Sequence, residues 1–106
     1  MPEAEPVPTA VAALVAYQEG SVVSRIVAKT AGGSLTVFAF DEGQGLSEHT
    51  VPHTAVLHVL EGAATVIIGG VRHRVTAGEL IELPGNVPHA VEAPLQFKMA
   101  LTMLRR

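Results

Sequence analysis

From Ser21 to the end of the chain, short apolar runs alternate with glycine and proline. Runs rich in valine, isoleucine, leucine, threonine and phenylalanine are typical of β-strands, and the residues between them are typical of turns. The pattern predicts strands over Val22–Lys29, Leu35–Asp41, Glu48–Val51, Ala55–Leu60, Ala64–Ile68, Val71–Thr76, Leu80–Leu83, His89–Glu92 and Gln96–Leu104. No helical periodicity of three or more turns follows residue 20, which disfavours strand–helix–strand folds. Many short, evenly spaced strands predict an all-β sandwich or closed barrel.

The residues between these runs indicate the kinds of turn and loop that join the strands. Gly32-Gly33 and Gly69-Gly70 predict tight hairpins, because glycine adopts a positive φ at no steric cost. Residues 41–45 predict a longer loop. Residues 1–8 contain three prolines, which indicates an extended arm, and Thr9 is placed to cap a short helical turn over Ala10–Ala13. The interpretation is one domain, with an N-terminal arm over residues 1–20 and a β-barrel over residues 21–106.

Composition excludes several classes of function. The chain has 106 residues, enough for one domain and one core, and it has no cysteine for disulfide or thiolate chemistry. Its net charge is -3 and its seven basic residues are scattered, so binding of nucleic acid is not expected. The N-terminus lacks the basic residues of a signal peptide, and Ala10–Ala16 is too short an apolar stretch to cross a bilayer. We expect a cytoplasmic protein without membrane association.

The apolar content also predicts a partner subunit. Hydrophobic residues make up 48% of the chain, and charged residues only 16%. Several runs, such as Val56–Leu60, are apolar on both faces, as in strands that are covered on both sides. An identical chain is the commonest covering partner, so we expect a homodimer.

Two segments stand out for their spacing of glycine, proline and histidine. The first covers residues 45–53, GLSEHTVPH, and is followed by Val59-Leu60-Glu61-Gly62; the second covers residues 78–89, GELIELPGNVPH. These segments resemble the first and second conserved motifs of the cupin family, and the resemblance extends over roughly residues 35–104. It implies an all-β fold, a small double-stranded β-helix or jelly-roll barrel. It also implies a pocket at the barrel mouth.

The resemblance implies specific site residues. In cupins with a full metal site, the first motif supplies two histidines and a glutamate, and the second supplies one more histidine. Alignment on Glu61-Gly62 places His49 and His89 at two of these four positions. Val51 and Ala55 occupy the other two.

His53 is the candidate for a third ligand, because it lies four residues beyond His49 in the predicted link between two strands. The other interpretation of His53 is an exposed loop residue. Three histidines make a workable site for a divalent transition metal, whereas two bind such ions weakly. We therefore predict a metal site formed by His49, His53 and His89 for Zn, Ni, Fe, Mn or Cu. No catalytic residue is assigned, and enzymatic activity is left open.

The alternative is a metal-free binding or sensor module. Val51 and Ala55 remove ligands and make the pocket more apolar, so that His49 and His89 would hold a small molecule by hydrogen bonds. Strand alternation turns His58 to the outer face, where it indicates a subunit contact or a buried, hydrogen-bonded imidazole, and a part in the site is left open. The candidates for the pocket wall, or for the core beneath it, are Phe38, Phe40, Leu57, Val59, Phe97 and Met99.

Overall fold

The computed structural model describes residues 6–105, which form a single 3-10 turn and nine strands. The 3-10 turn is Val11–Leu14, and the strands are β1 (Val22–Thr30), β2 (Gly33–Phe40), β3 (Gly45–His49), β4 (Thr54–Glu61), β5 (Ala63–Ile68), β6 (Val71–Thr76), β7 (Leu80–Leu83), β8 (His89–Glu92) and β9 (Phe97–Leu104). Each predicted run forms a strand, and the largest displacement is in β3. Within residues 6–105, no helix is long and apolar enough to span a membrane.

The strands form two antiparallel sheets that face each other as a jelly-roll barrel, which confirms the predicted fold class. One sheet has the order β1-β2-β9-β4-β7, and the other has the order β3-β8-β5-β6. Along β4, Ala55, Leu57 and Val59 are buried while His58 is exposed, as strand alternation predicts. The core between the sheets is centred on Phe40 and Phe97, whose rings stack with centroids 4.5 Å apart.

The segment before β1 packs on the outer face of the larger sheet. Val15 is buried against Val37 and Ala39 of β2. The Tyr17 hydroxyl donates to the Glu61 carboxylate at 2.9 Å. Burial and this hydrogen bond to Glu61, together with the carboxylate's charge, raise the pKa of Tyr17 above its ordinary value. These contacts fix the segment on the barrel.

In the same segment, the predicted helix cap at Thr9 is wrong. The turn begins at Val11 rather than Ala10, and no side chain caps its start. Thr9 instead donates its hydroxyl to the carbonyl of Val7 at 3.1 Å, two residues earlier. Thr9 therefore closes a local turn in the arm, a competing use of a threonine hydroxyl. The extended arm was predicted from residues 1–8, of which residues 1–5 lie outside the described part.

Both predicted Gly-Gly hairpins form, but only one has the predicted positive φ. Gly69 and Gly70 have φ values of 55° and 83°, and they join β5 to β6. The hairpin predicted at Gly32-Gly33 also forms, because Thr30 pairs with Gly33 across a two-residue turn that contains Gly32. The positive φ predicted there is wrong, since neither glycine has one. Gly33 meets a different constraint, since a Cβ there would overlap the carbonyl oxygen of Met103 on the neighbouring strand.

The free edge of β1 is where we expect the predicted homodimer to form. This strand lies at the end of its sheet, and Ile26 and Val27 are 62% and 45% exposed. An edge strand with exposed apolar side chains can pair with an identical strand about a two-fold axis. Light scattering should therefore give twice the mass of a single chain.

A charge at this edge should break the pairing. We expect Ile26→Asp to shift the protein to monomers at micromolar concentration, because the carboxylate would be buried between the two copies. Leu80→Asp is the matched control, since Leu80 is a similarly exposed residue on β7, the opposite edge of the same sheet. A monomeric wild-type protein, or a dimer insensitive to Ile26→Asp, would contradict this expectation.

Candidate functional site

A cavity of about 390 Å³ opens between the two sheets at one end of the barrel. Most of its lining is hydrocarbon or thioether, from Phe38, Leu46, Val51, Ala55, Leu57, Leu83, Val91, Met99, Leu101 and Met103. The polar lining residues are Ser47, Glu48, His49 and His89. A small apolar cleft with a few polar groups on its wall is the usual form of a small-molecule site.

A β-bulge in β3 brings His49 to this cavity. Leu46 pairs with Val91 and His49 pairs with His89, so β3 carries one more residue than β8 between the two pairs. Regular alternation would turn Leu46 and His49 to opposite faces, yet both line the cavity. Glu48, which regular alternation would turn away from His49, also joins the lining at the mouth.

The same strand shows the main displacement from the predicted bounds. The third strand was predicted over Glu48–Val51 but spans Gly45–His49. Gly45 already pairs with Glu92 of β8, so the ladder starts earlier than the side-chain pattern indicates. His49 is therefore the last residue of its strand, at the open end of the barrel.

His49 and His89 meet edge to face at the cavity. Their ring centroids are 4.4 Å apart, with an angle of 69° between the planes. Nδ1 of His49 lies 3.0 Å from the carbonyl oxygen of Ser47, which can only accept, so Nδ1 is the donor. In the neutral ring, Nε2 of His49 is then an acceptor. His49 is exposed, and His89 is only 6% exposed.

His89 is held in an environment that favours its neutral form. Burial and the nearby His49 lower the pKa of His89, and a weaker interaction with the Val87 backbone acts in the opposite direction. Its Nδ1 is buried and has no hydrogen-bond partner among the described residues. Buried polar atoms in native proteins nearly always have a partner, so this enclosed nitrogen is an exception in the wall behind the cavity.

The structure places His53 apart from these two histidines. It lines a different depression of about 630 Å³, together with Pro52, Thr54, Asn86, Leu104 and Arg105. The backbone N–H of Asn86 donates to the carbonyl of Val51 at 2.7 Å. Gly85 packs so closely that a Cβ there would lie 2.6 Å from the carbonyl oxygen of Pro52. These two contacts fasten the loop that carries His53 against the turn before β8.

The residues present do not fit a metal site with three or four ligands. Val51 and Ala55, at the positions of the other two ligands, contribute hydrocarbon to the cavity wall. Within residues 6–105, no group of three or more histidine, cysteine, aspartate or glutamate side chains is arranged to hold a metal ion. The site formed by His49, His53 and His89 therefore stays a prediction, and it would require His53 to leave its loop position.

The other sequence candidates divide between wall and core. Phe38, Leu57 and Met99 line the cavity. Phe40, Val59 and Phe97 lie in the core beneath it. The sequence analysis did not identify Leu101 and Met103 as lining residues. Both could have been found, because every second residue of a strand faces the same side and Met99 was already a candidate.

Comparison with known proteins agrees with this architecture. The family model described as "Cupin domain" matches residues 36–104. A cupin 2 conserved barrel domain protein from Leptotrichia buccalis is 36% identical with a TM-score of 0.86, over 89% of this chain and 46% of that one. A conserved protein of unknown function from Streptococcus pyogenes is 27% identical with a TM-score of 0.88, over 100% of this chain and 91% of that one.

A cupin superfamily protein from Desulfitobacterium hafniense shares the fold. It is 23% identical with a TM-score of 0.87, over 100% of this chain and 95% of that one. No curated protein matches the chain.

Proposed function

The chain belongs to the cupin family, and we propose that it is a binding module whose barrel cavity takes up a small, largely apolar molecule without a metal ion. The observation that carries the proposal is the cavity itself. It combines an almost wholly apolar wall with two histidines in contact on one side. Its volume of about 390 Å³ falls in the range of roughly 300–1,000 Å³ that is typical of small-molecule sites.

The lining provides both affinity and selectivity. Burial of apolar ligand surface contributes about 25 cal/mol per Å². Met99 and Met103 are unbranched and flexible, so they can adapt the wall to the shape of the occupant. His49 and His89 are the polar groups that would orient it.

Metal binding by His49, His53 and His89 is the competing candidate. The contact between the His49 and His89 rings favours it. The separate position of His53 and the hydrocarbon of Val51 and Ala55 count against it. A ligand pair of two imidazoles alone binds divalent ions weakly.

Thermal unfolding can separate the two candidates. Protein prepared without a polyhistidine tag and dialysed against EDTA is screened with small aromatic and aliphatic compounds. We expect Tm to rise by at least about 4 °C at a ligand concentration of about ten times Kd, because the ligand binds the folded state alone. Parallel samples receive Zn, Ni, Fe, Mn or Cu in place of the organic compounds.

The outcomes point in opposite directions. Stabilisation by organic compounds in EDTA supports the proposed function. Stabilisation by one of the metals alone, abolished by His53→Ala and kept by the matched His58→Ala, would replace it with the metal site. His58 is a suitable control because it is exposed on the outer face of β4.

A further inference from the structure

Resting on that proposed function, we infer that the natural occupant is uncharged and carries an O–H or N–H group that donates a hydrogen bond to His49. It belongs to neutral donors such as phenols, alcohols and indoles rather than to the carboxylic acids or alkylamines. The inference depends on two features of the cavity: the charges around it and the direction of the hydrogen bond at His49.

The charges around the cavity argue against an ionic occupant. Among residues 6–105, no lysine or arginine lines the cavity, and the one lining carboxylate, Glu48, is exposed at the mouth. A carboxylate ligand would lose its hydration inside the apolar wall without meeting a cation, and Glu48 would repel it. An ammonium group could meet Glu48 only at the solvated rim, where an ion pair contributes little.

The hydrogen bond at His49 determines that the ligand group must donate rather than accept a hydrogen bond there. Its Nδ1 proton is already engaged by the carbonyl of Ser47 at 3.0 Å. The remaining nitrogen of the neutral ring can only accept, so the group that best matches it is an O–H or N–H donor on the ligand. Ethers, ketones and hydrocarbons cannot supply that donor.

His89 does not restrict the ligand group further. Its Nδ1 is enclosed by protein, whereas His49 is exposed. His49 is therefore the imidazole that a ligand in the cavity can reach, and a single neutral donor on the ligand satisfies it.

Four probes of matched shape test the inference: p-cresol, toluene, p-toluate and p-methylbenzylamine. They share one methyl-substituted ring and differ in the group at the other end. Binding to the intact, EDTA-treated protein is measured by calorimetry at neutral pH. We expect p-cresol to bind at least about tenfold more tightly than each of the others, as one well-placed hydrogen bond and the absence of a buried charge allow.

Histidine variants supply the second readout. His49→Ala should bring the affinity for p-cresol down to that for toluene, whereas the matched His53→Ala, outside the cavity, should leave it unchanged. If toluene, p-toluate or p-methylbenzylamine binds as tightly as p-cresol, or if His49→Ala has no effect, the inference fails and the proposed function stands. If none of the four probes binds, both fail.

Discussion

Val51→Phe should weaken the binding of p-cresol to the cavity at least about a hundredfold, because the phenyl ring would occupy the space that the ligand needs. Val51 lines the cavity and is half-buried in the loop after β3. It takes part in no strand ladder, so a larger side chain can enter the cavity without distorting a sheet. Calorimetry on the folded variant measures the loss.

The control for this change is Val56→Phe. Val56 is also half-buried, but it lies on the outward face of β4 and is not part of the cavity wall. Its replacement should leave the affinity within about twofold of the wild-type value, as distant sites are usually independent. Equal loss of affinity in both variants, or none in Val51→Phe, would show that ligands bind elsewhere.

Gly62→Ala should destabilise the fold by at least about 3 kcal/mol, since it combines backbone strain with a steric clash. Gly62 lies at the corner where the chain leaves β4 in one sheet and enters β5 in the other. Its φ is 76°, and an added Cβ would overlap the carbonyl oxygen of Gln96 and lie 2.9 Å from the Cβ of Phe97. Urea unfolding measures the change in the free energy of unfolding.

Gly32→Ala provides the matched comparison. Gly32 has no positive φ. The atom nearest to a Cβ added there would be the Thr30 hydroxyl oxygen, at 3.7 Å. This substitution should change the free energy of unfolding by less than about 1 kcal/mol, because the restricted freedom of the unfolded chain offsets a small steric cost. If Gly62→Ala is as mild as Gly32→Ala, the corner is not the rigid joint that its geometry indicates.

The fold could be predicted from the sequence because strand patterning and turn chemistry are local signals. The alternation of Ala55, Leu57 and Val59 placed β4 correctly against the core. The hairpin at Gly32-Gly33 was predicted correctly but its positive φ was not, because a glycine pair does not distinguish a positive φ from a close approach of another strand. Met103, the residue that Gly33 approaches, is distant in the sequence.

The site could be predicted only in part, for a related reason. His49 and His89 were identified, but the bulge that turns His49 inward depends on the register between β3 and β8, which no local pattern encodes. The position of His53 depends on how closely Gly85 packs on Pro52, a contact between two loops. The short sequence separation between His49 and His53 therefore does not determine where the His53 side chain lies.

Methyl NMR of the intact protein in EDTA tests the central claim most directly. Met99 and Met103 line the cavity, and Ile26 lies on the exposed edge of β1, away from it. As p-cresol is added, the methyl signals of Met99 and Met103 should shift in a saturable manner while that of Ile26 stays in place. If the two methionine signals do not move, or move only after a transition metal is supplied, the account of a metal-free binding cavity is contradicted.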